Sequence, residues 1–300
     1  MEYKNMSITT VETFCASNTI DDAKRSEGLV TPNDIQRFDN ILYGVDKEVN
    51  YLDVYRPKNC NGKLPVIVSI HGGGWVYGNK DIMQFYCMSL AEKGFAVVNF
   101  SYRLAPKYKH PTPFIDTNTV FDWIFKNAEN YGFDTNNIFA VGDSVGANIL
   151  CLYCCACADK DYAKKLSIQI PNGLSLRAIG LNCGIYRMAR GEIDILIDRF
   201  AEEYFSNKGT IEEYSEITVG NHINSDFPAS FVMTAEGDFL ASQAKVFYDI
   251  LKSLNIDAEY HFYGDKEHEL KHVFHIDIKL PEARKCNDDE CSFFLKCIKK

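Results

Sequence analysis

Gly142-Asp143-Ser144-Val145-Gly146 directly follows the apolar run Asn137 to Val141 and directly precedes a long apolar helical stretch. In that strand-turn-helix setting the serine is a candidate nucleophile. The glycines leave room for a sharp turn, and the helix begins beneath the hydroxyl with free N–H groups and a partial positive charge. The competing use of the same residues is a helix-capping serine at a Gly-rich strand exit. A second constellation, His71-Gly72-Gly73-Gly74-Trp75, follows the run Leu64 to Ile70. Consecutive glycines bring backbone N–H groups close to a developing negative charge, so Gly73, Gly74 and Val145 are the expected oxyanion donors for acyl transfer. A phosphate cradle is disfavoured, because Tyr77 occupies the third glycine position of G-x-G-x-x-G and no GK[ST] follows.

A serine nucleophile needs a base, and the base needs a carboxylate to fix its tautomer. Asp238 follows the apolar run Ala229 to Thr234 by a few residues, which puts it at the same sheet edge as Ser144 unless it only forms the Gly-Asp turn. His268, His272 and His275 come after the run ending at Tyr263. His268-Glu-Leu-Lys-His272 also spells H-E-x-x-H, a zinc-peptidase pattern that requires both histidines on one face of a stable helix. Here the stretch follows Gly264-Asp265 and runs into β-branched Val273 and Ile276, so no metal is expected there. Cys151, Cys154, Cys155 and Cys157 contain a C-x-x-C, but they fall on an almost wholly apolar helix and read as packing residues, as do Cys286, Cys291 and Cys297.

The elements that must position these residues alternate along the chain. Short β-branched runs at 51–55, 64–70, 95–100, 137–141, 177–182, 229–234 and 258–263 read as strands. Helical spacing recurs at 81–92, 116–130, 145–158, 241–254 and 282–298. Such alternation predicts an α/β fold with a mostly parallel central sheet and helices on both faces. Residues 1–40 and 185–225 do not fit it and are expected to form a helical lid over a site at the strand C-termini. Nothing marks an internal boundary, so one domain over residues 1–300 is expected.

Taken together, the motifs resemble the α/β-hydrolase esterases related to hormone-sensitive lipase, which carry an HGGG motif. His71-Gly-Gly-Gly-Trp75, Tyr102-Arg-Leu-Ala-Pro106, Gly142-Asp-Ser-Val-Gly146 and Thr234-Ala-Glu-Gly-Asp238-Phe-Leu240 look like that family's blocks in its order. The resemblance implies Ser144 as nucleophile, Asp238 as acid, a downstream histidine as base, and Gly73 and Gly74 in the oxyanion hole. His272-Val-Phe274 has the family's His-x-Phe form, whereas His268 has the more usual interval from Asp238; His272 is the expected base and His268 the alternative. Ala147 and Phe239 depart from the family pattern without removing a catalytic group.

Composition narrows the partners. With 300 residues, 46% hydrophobic and 24% charged, the chain can bury a sizeable core. A net charge of −9 disfavours nucleic acid and anionic membrane surfaces as partners. No run approaches the roughly 18 apolar residues of a membrane span. The count of eleven Cys is odd and the N-terminus has no apolar h-region, which reads as reduced thiols in a cytosol. The expectation is a cytoplasmic serine carboxylesterase acting on a small ester without a cofactor, with bulky Trp75 and Tyr77 narrowing an acyl pocket to short chains. Amidase, arylformamidase or peptidase activity, or a non-catalytic small-molecule binder on the same fold, are the alternatives.

Overall fold

A computed structural model describes residues 10–60 and 62–299. Eight strands form one sheet: β1 Ile35–Leu42, β2 Tyr51–Pro57, β3 Leu64–Ile70, β4 Ala96–Phe100, β5 Phe133–Asp143, β6 Leu176–Asn182, β7 Ala229–Ala235 and β8 Ala258–Tyr263. Their spatial order is β1-β2-β4-β3-β5-β6-β7-β8. β2 pairs antiparallel with both β1 and β4, and every later pairing is parallel.

The helices are α1 Val11–Ser26, α2 Lys80–Ala91, α3 Thr112–Tyr131, α4 Val145–Ala158, α5 Lys160–Lys165, α6 Ile195–Tyr204, α7 Ile211–Glu216, α8 Ala241–Ser253 and α9 Pro281–Lys296. Side chains alternate across a strand, so a sheet covered on both faces needs apolar residues at nearly every position. β3 meets that demand. Val66, Val68 and Ile70 enter the core shared with α3, α4 and α8, whereas Ile67 enters the core shared with α2 and α9.

Of residues 1–40, 1–9 lie outside the described residues, α1 is helical, and 35–40 belong to β1. This strand eluded the sequence reading because Gln36, Arg37, Asp39 and Asn40 interrupt its apolar pattern; only one neighbour pairs with it, so it sits at the sheet edge with little to bury. Within 185–225, α6 reaches over the strand ends and touches α1, where the Phe14 and Phe200 rings lie 4.7 Å apart. α7 is not part of a roof: the chain just after it is tied to α4, with the Asn148 amide donating to the Ile217 carbonyl at 2.9 Å. Among the described residues no helix is long and apolar enough to cross a membrane.

The cysteines of α4 and α9 are mostly packing residues, as expected. Cys151, Cys154, Cys155, Cys286 and Cys291 are buried. Cys157 is exposed and Cys297 half-buried, because both fall near helix ends where less of the chain covers them.

Candidate active site

β5 ends at Asp143 and α4 begins at Val145, so Ser144 alone makes the turn, with φ 52° and ψ −118°. Positive φ is costly for a residue with a β-carbon and persists only where surrounding bonds impose it. Here the Ser144 N–H donates to the Asn182 carbonyl at 2.9 Å, and its carbonyl accepts from Ile185 at 3.3 Å. Asp143 ties this turn to the glycine loop, its Oδ1 accepting the Gly72 N–H at 3.0 Å. Burial pushes the Asp143 carboxyl up to about 6.

The glycine loop needs its composition. Gly73 has φ 112° and a side chain there would run into the Tyr77 carbonyl; Gly74 has φ 63° and a side chain there would overlap the Phe200 ring. His71 braces the loop from below. It is fully buried, stacks on Tyr102 at 4.1 Å, and its carbonyl accepts the Tyr102 hydroxyl at 2.9 Å. Its Nδ1 lies 2.8 Å from the Gly72 carbonyl, which only accepts, so Nδ1 carries the proton. Burial lowers the His71 pKa to about 4 and keeps the ring neutral.

Parallel pairing of β7 and β8 puts the loops that follow them side by side, and the Gly237 N–H donates to the Leu270 carbonyl at 2.9 Å. His272 Nδ1 thereby lies 2.7 Å from Asp238 Oδ1. Asp238 also accepts the Thr234 hydroxyl at 2.6 Å and the Leu240 N–H at 3.0 Å. Burial alone would raise the Asp238 pKa, but the bond to His272, its charge and these two donors outweigh burial and hold the carboxyl below the ordinary range. His268 is elsewhere, its side chain 63% exposed and paired with Glu282 at 3.0 Å. Residues 268–272 are not helical, so the H-E-x-x-H pattern does not bring its histidines to one face.

Ser144, Val145, His272, Gly73, Gly74 and Tyr77 all line one cavity of about 460 Å³. Trp75 does not, which corrects the expectation that it narrows the pocket. It is fully buried and stacks on Tyr204 of α6 at 4.7 Å, because its φ of 62° turns the side chain under the lid helix. The roof is α1 and α6. α6 contributes apolar Leu196, Ile197 and Phe200, whereas α1 contributes Phe14 and then a polar row at Ser17, Asn18, Asp21, Asp22 and Arg25. Tyr77 is fastened to this row, its hydroxyl donating to Asp22 at 2.6 Å, and Asp22 also pairs with Arg25 at 2.7 Å. The spacing of the row marks one helical face, but only the fold reveals what that face covers.

Residues 67–272 match the family model described as the alpha/beta hydrolase fold, and the chain belongs to that family. It is 38% identical over 105 residues to a putative alpha/beta hydrolase, R526, of Acanthamoeba polyphaga mimivirus, covering 35% of this chain and 30% of that protein. Carboxylesterase NlhH of Mycobacterium tuberculosis is 28% identical over 259 residues, 82% of this chain and 81% of NlhH. The chain spans about a third of the length of R526 and of two further curated esterases that it matches. The crystal structure of esterase B from Lactobacillus rhamnosis, inhibited by a tributyrin phosphonate, superposes with a TM-score of 0.87 at 20% identity, covering 96% of this chain and 94% of that one.

Proposed function

We propose that this protein is a serine carboxylesterase that hydrolyses small acyl esters through an acyl-enzyme. One observation carries the reading: a strained serine shares a cavity with a histidine whose far nitrogen is bound to a buried carboxylate. Asp238 holds the Nδ1–H tautomer, which leaves His272 Nε2 with a lone pair to take the Ser144 proton. Ser144 Oγ attacks the ester carbonyl, and the N–H groups of Gly73, Gly74 and Val145 hold the oxyanion. Val145 is the first residue of α4, so its N–H has no partner within the helix. His272 then passes the proton to the leaving alcohol, and water activated by the same imidazole releases the acid. Neither half needs a metal or an organic cofactor.

The relatives support the choice of ester among acyl substrates, NlhH being named a carboxylesterase over most of its length. None of the eleven cysteines is disulfide-bonded, which suits a reducing, cytoplasmic location. The test is covalent labelling with a fluorophosphonate probe followed by identification of the modified residue. Labelling at Ser144, lost in Ser144→Ala together with turnover of acetyl and butyryl esters, is expected. Folded protein that is not labelled at Ser144 would leave the site a small-molecule binder.

A further inference from the structure

Behind the His272–Asp238 pair lies a thiol that the ester reaction does not use. Cys183 follows β6 directly, is fully buried, and has φ 48°, an uncommon conformation for a residue other than glycine. Its N–H donates to the Met233 carbonyl at 2.9 Å, and its Sγ accepts the N–H of Val273, the residue after His272, at 3.4 Å. These bonds hold the sulfur against the pair. One ligand atom each from Cys183, Asp238 and His272 lies within 4.8 Å of the other two, and among the described residues this is the one such group of three.

We propose that Cys183, Asp238 and His272 form a latent transition-metal site, in which an ion such as Zn²⁺ takes the place of the proton shared by His272 and Asp238 and switches the esterase off. A thiolate, an imidazole and a carboxylate are all donors that zinc accepts, at about 2.3 Å for sulfur and about 2.0–2.2 Å for nitrogen and oxygen. Bonds of those lengths put ligand atoms roughly 3–4 Å apart around a tetrahedral ion. The His272–Asp238 contact of 2.7 Å therefore has to open slightly and the sulfur to close in. Thr234 and Leu240 keep donating to the carboxylate, and Val273 to the sulfur. The fourth position is left to water.

The balance of the step explains the inhibition. Zn²⁺ binds Nδ1, a carboxylate oxygen and sulfur; the thiol proton leaves to solvent, and the imidazole proton moves from Nδ1 to Nε2. The metal-bound ring stays neutral but no longer has a lone pair facing Ser144, so it cannot accept the serine proton. The role in switching rests on the esterase reading; the metal site does not.

Two measurements separate them. Titrating Co²⁺ into full-length Ser144→Ala protein should give a thiolate-to-cobalt absorption band that saturates at one ion per chain, and adding Cys183→Ser or Cys183→Ala should abolish it. With wild type, Zn²⁺ should inhibit ester turnover, a chelator should restore it, and either Cys183 substitution should raise the half-inhibitory concentration at least tenfold. A band that persists in both folded Cys183 variants would assign it to another thiol and overturn the site. Binding at Cys183 without inhibition of an active wild-type esterase would overturn the switch, whereas the band in Ser144→Ala together with a wild-type protein that turns over no ester would keep the site and sink the esterase reading instead.

Discussion

Asp238→Asn tests the tautomer argument at a single residue. The amide keeps the volume but has one oxygen where the carboxylate has two, so it keeps the bond from Thr234 or the bond from Leu240 and not both, and it removes the anion that favours Nδ1–H and the imidazolium. Turnover should fall by about three to four orders of magnitude with little change in KM. A loss under tenfold would mean that His272 is oriented by something else. The two histidines separate as sharply: His272→Ala should abolish turnover, while His268→Ala, at an exposed pair with Glu282, should leave kcat and KM near wild type. At this scale much was legible, because Ser144, Gly73 and Gly74 sit in local motifs whose glycines have direct conformational causes. The choice of histidine was not, since motif form and chain interval disagreed and only the β7–β8 register brings Asp238 to His272. Thr234 and Leu240 went unread for a related reason: a carboxylate's donors are set by how its loop turns, not by a spacing.

The acyl pocket belongs to the scale of elements. If His272 protonates the departing alcohol, the alcohol lies beside His272 and the acyl chain runs the other way, along Gly74 toward Phe200 and Phe14. Phe200 is buried against the oxyanion loop and Phe14 at 4.7 Å, so these rings from two lid helices form the end wall. Phe200→Ala should therefore shift the preferred chain of p-nitrophenyl esters from acetyl and butyryl toward longer acids, while turnover of acetate changes by less than tenfold. An unchanged chain-length profile would remove Phe200 from the wall. Trp75 was the wrong residue for this role because a tryptophan beside an oxyanion loop looks like a pocket wall in one dimension, whereas its positive φ sends it into the core. Apart from the edge strand β1, the strands of the sheet and the long helices that cover it were readable from periodicity. The lid was not, for its helices bury one narrow face each, and which face meets the cavity follows from docking α1 on α6.

For the whole molecule, stability should depend on pH through groups buried beneath the sheet edge. Glu290 of α9 is fully buried, with Tyr86 donating to it at 2.7 Å and the Asn182 amide at 2.9 Å. Burial raises its pKa from 4.5 to about 7, more than these two donors lower it. An acid with a raised folded pKa holds its proton more tightly when folded, so between 4.5 and about 7 the folded state binds more protons and stability falls as pH rises. The full displacement corresponds to roughly 3 kcal/mol. His71 and His275 act in the opposite sense: burial lowers them to about 4 and about 3, so the unfolded chain gains protons first as pH falls below 6.5, and stability is lost toward acid. The two trends overlap and partly cancel in wild type. Glu290→Gln isolates one of them, since the amide keeps the volume and can still accept from Asn182 but has no proton to lose. The melting temperature of Glu290→Gln should be close to wild type at pH 5, exceed it increasingly from pH 5 to 7, and stay ahead by a constant margin at pH 8. A difference that does not change with pH would mean that Glu290 keeps the same protonation state folded and unfolded. Because the Asn182 carbonyl also holds the Ser144 N–H, the same substitution reports whether this buried carboxyl is felt at the nucleophile: turnover that follows the stability difference through pH 7 would link them, and turnover indifferent to it would confine Glu290 to the core.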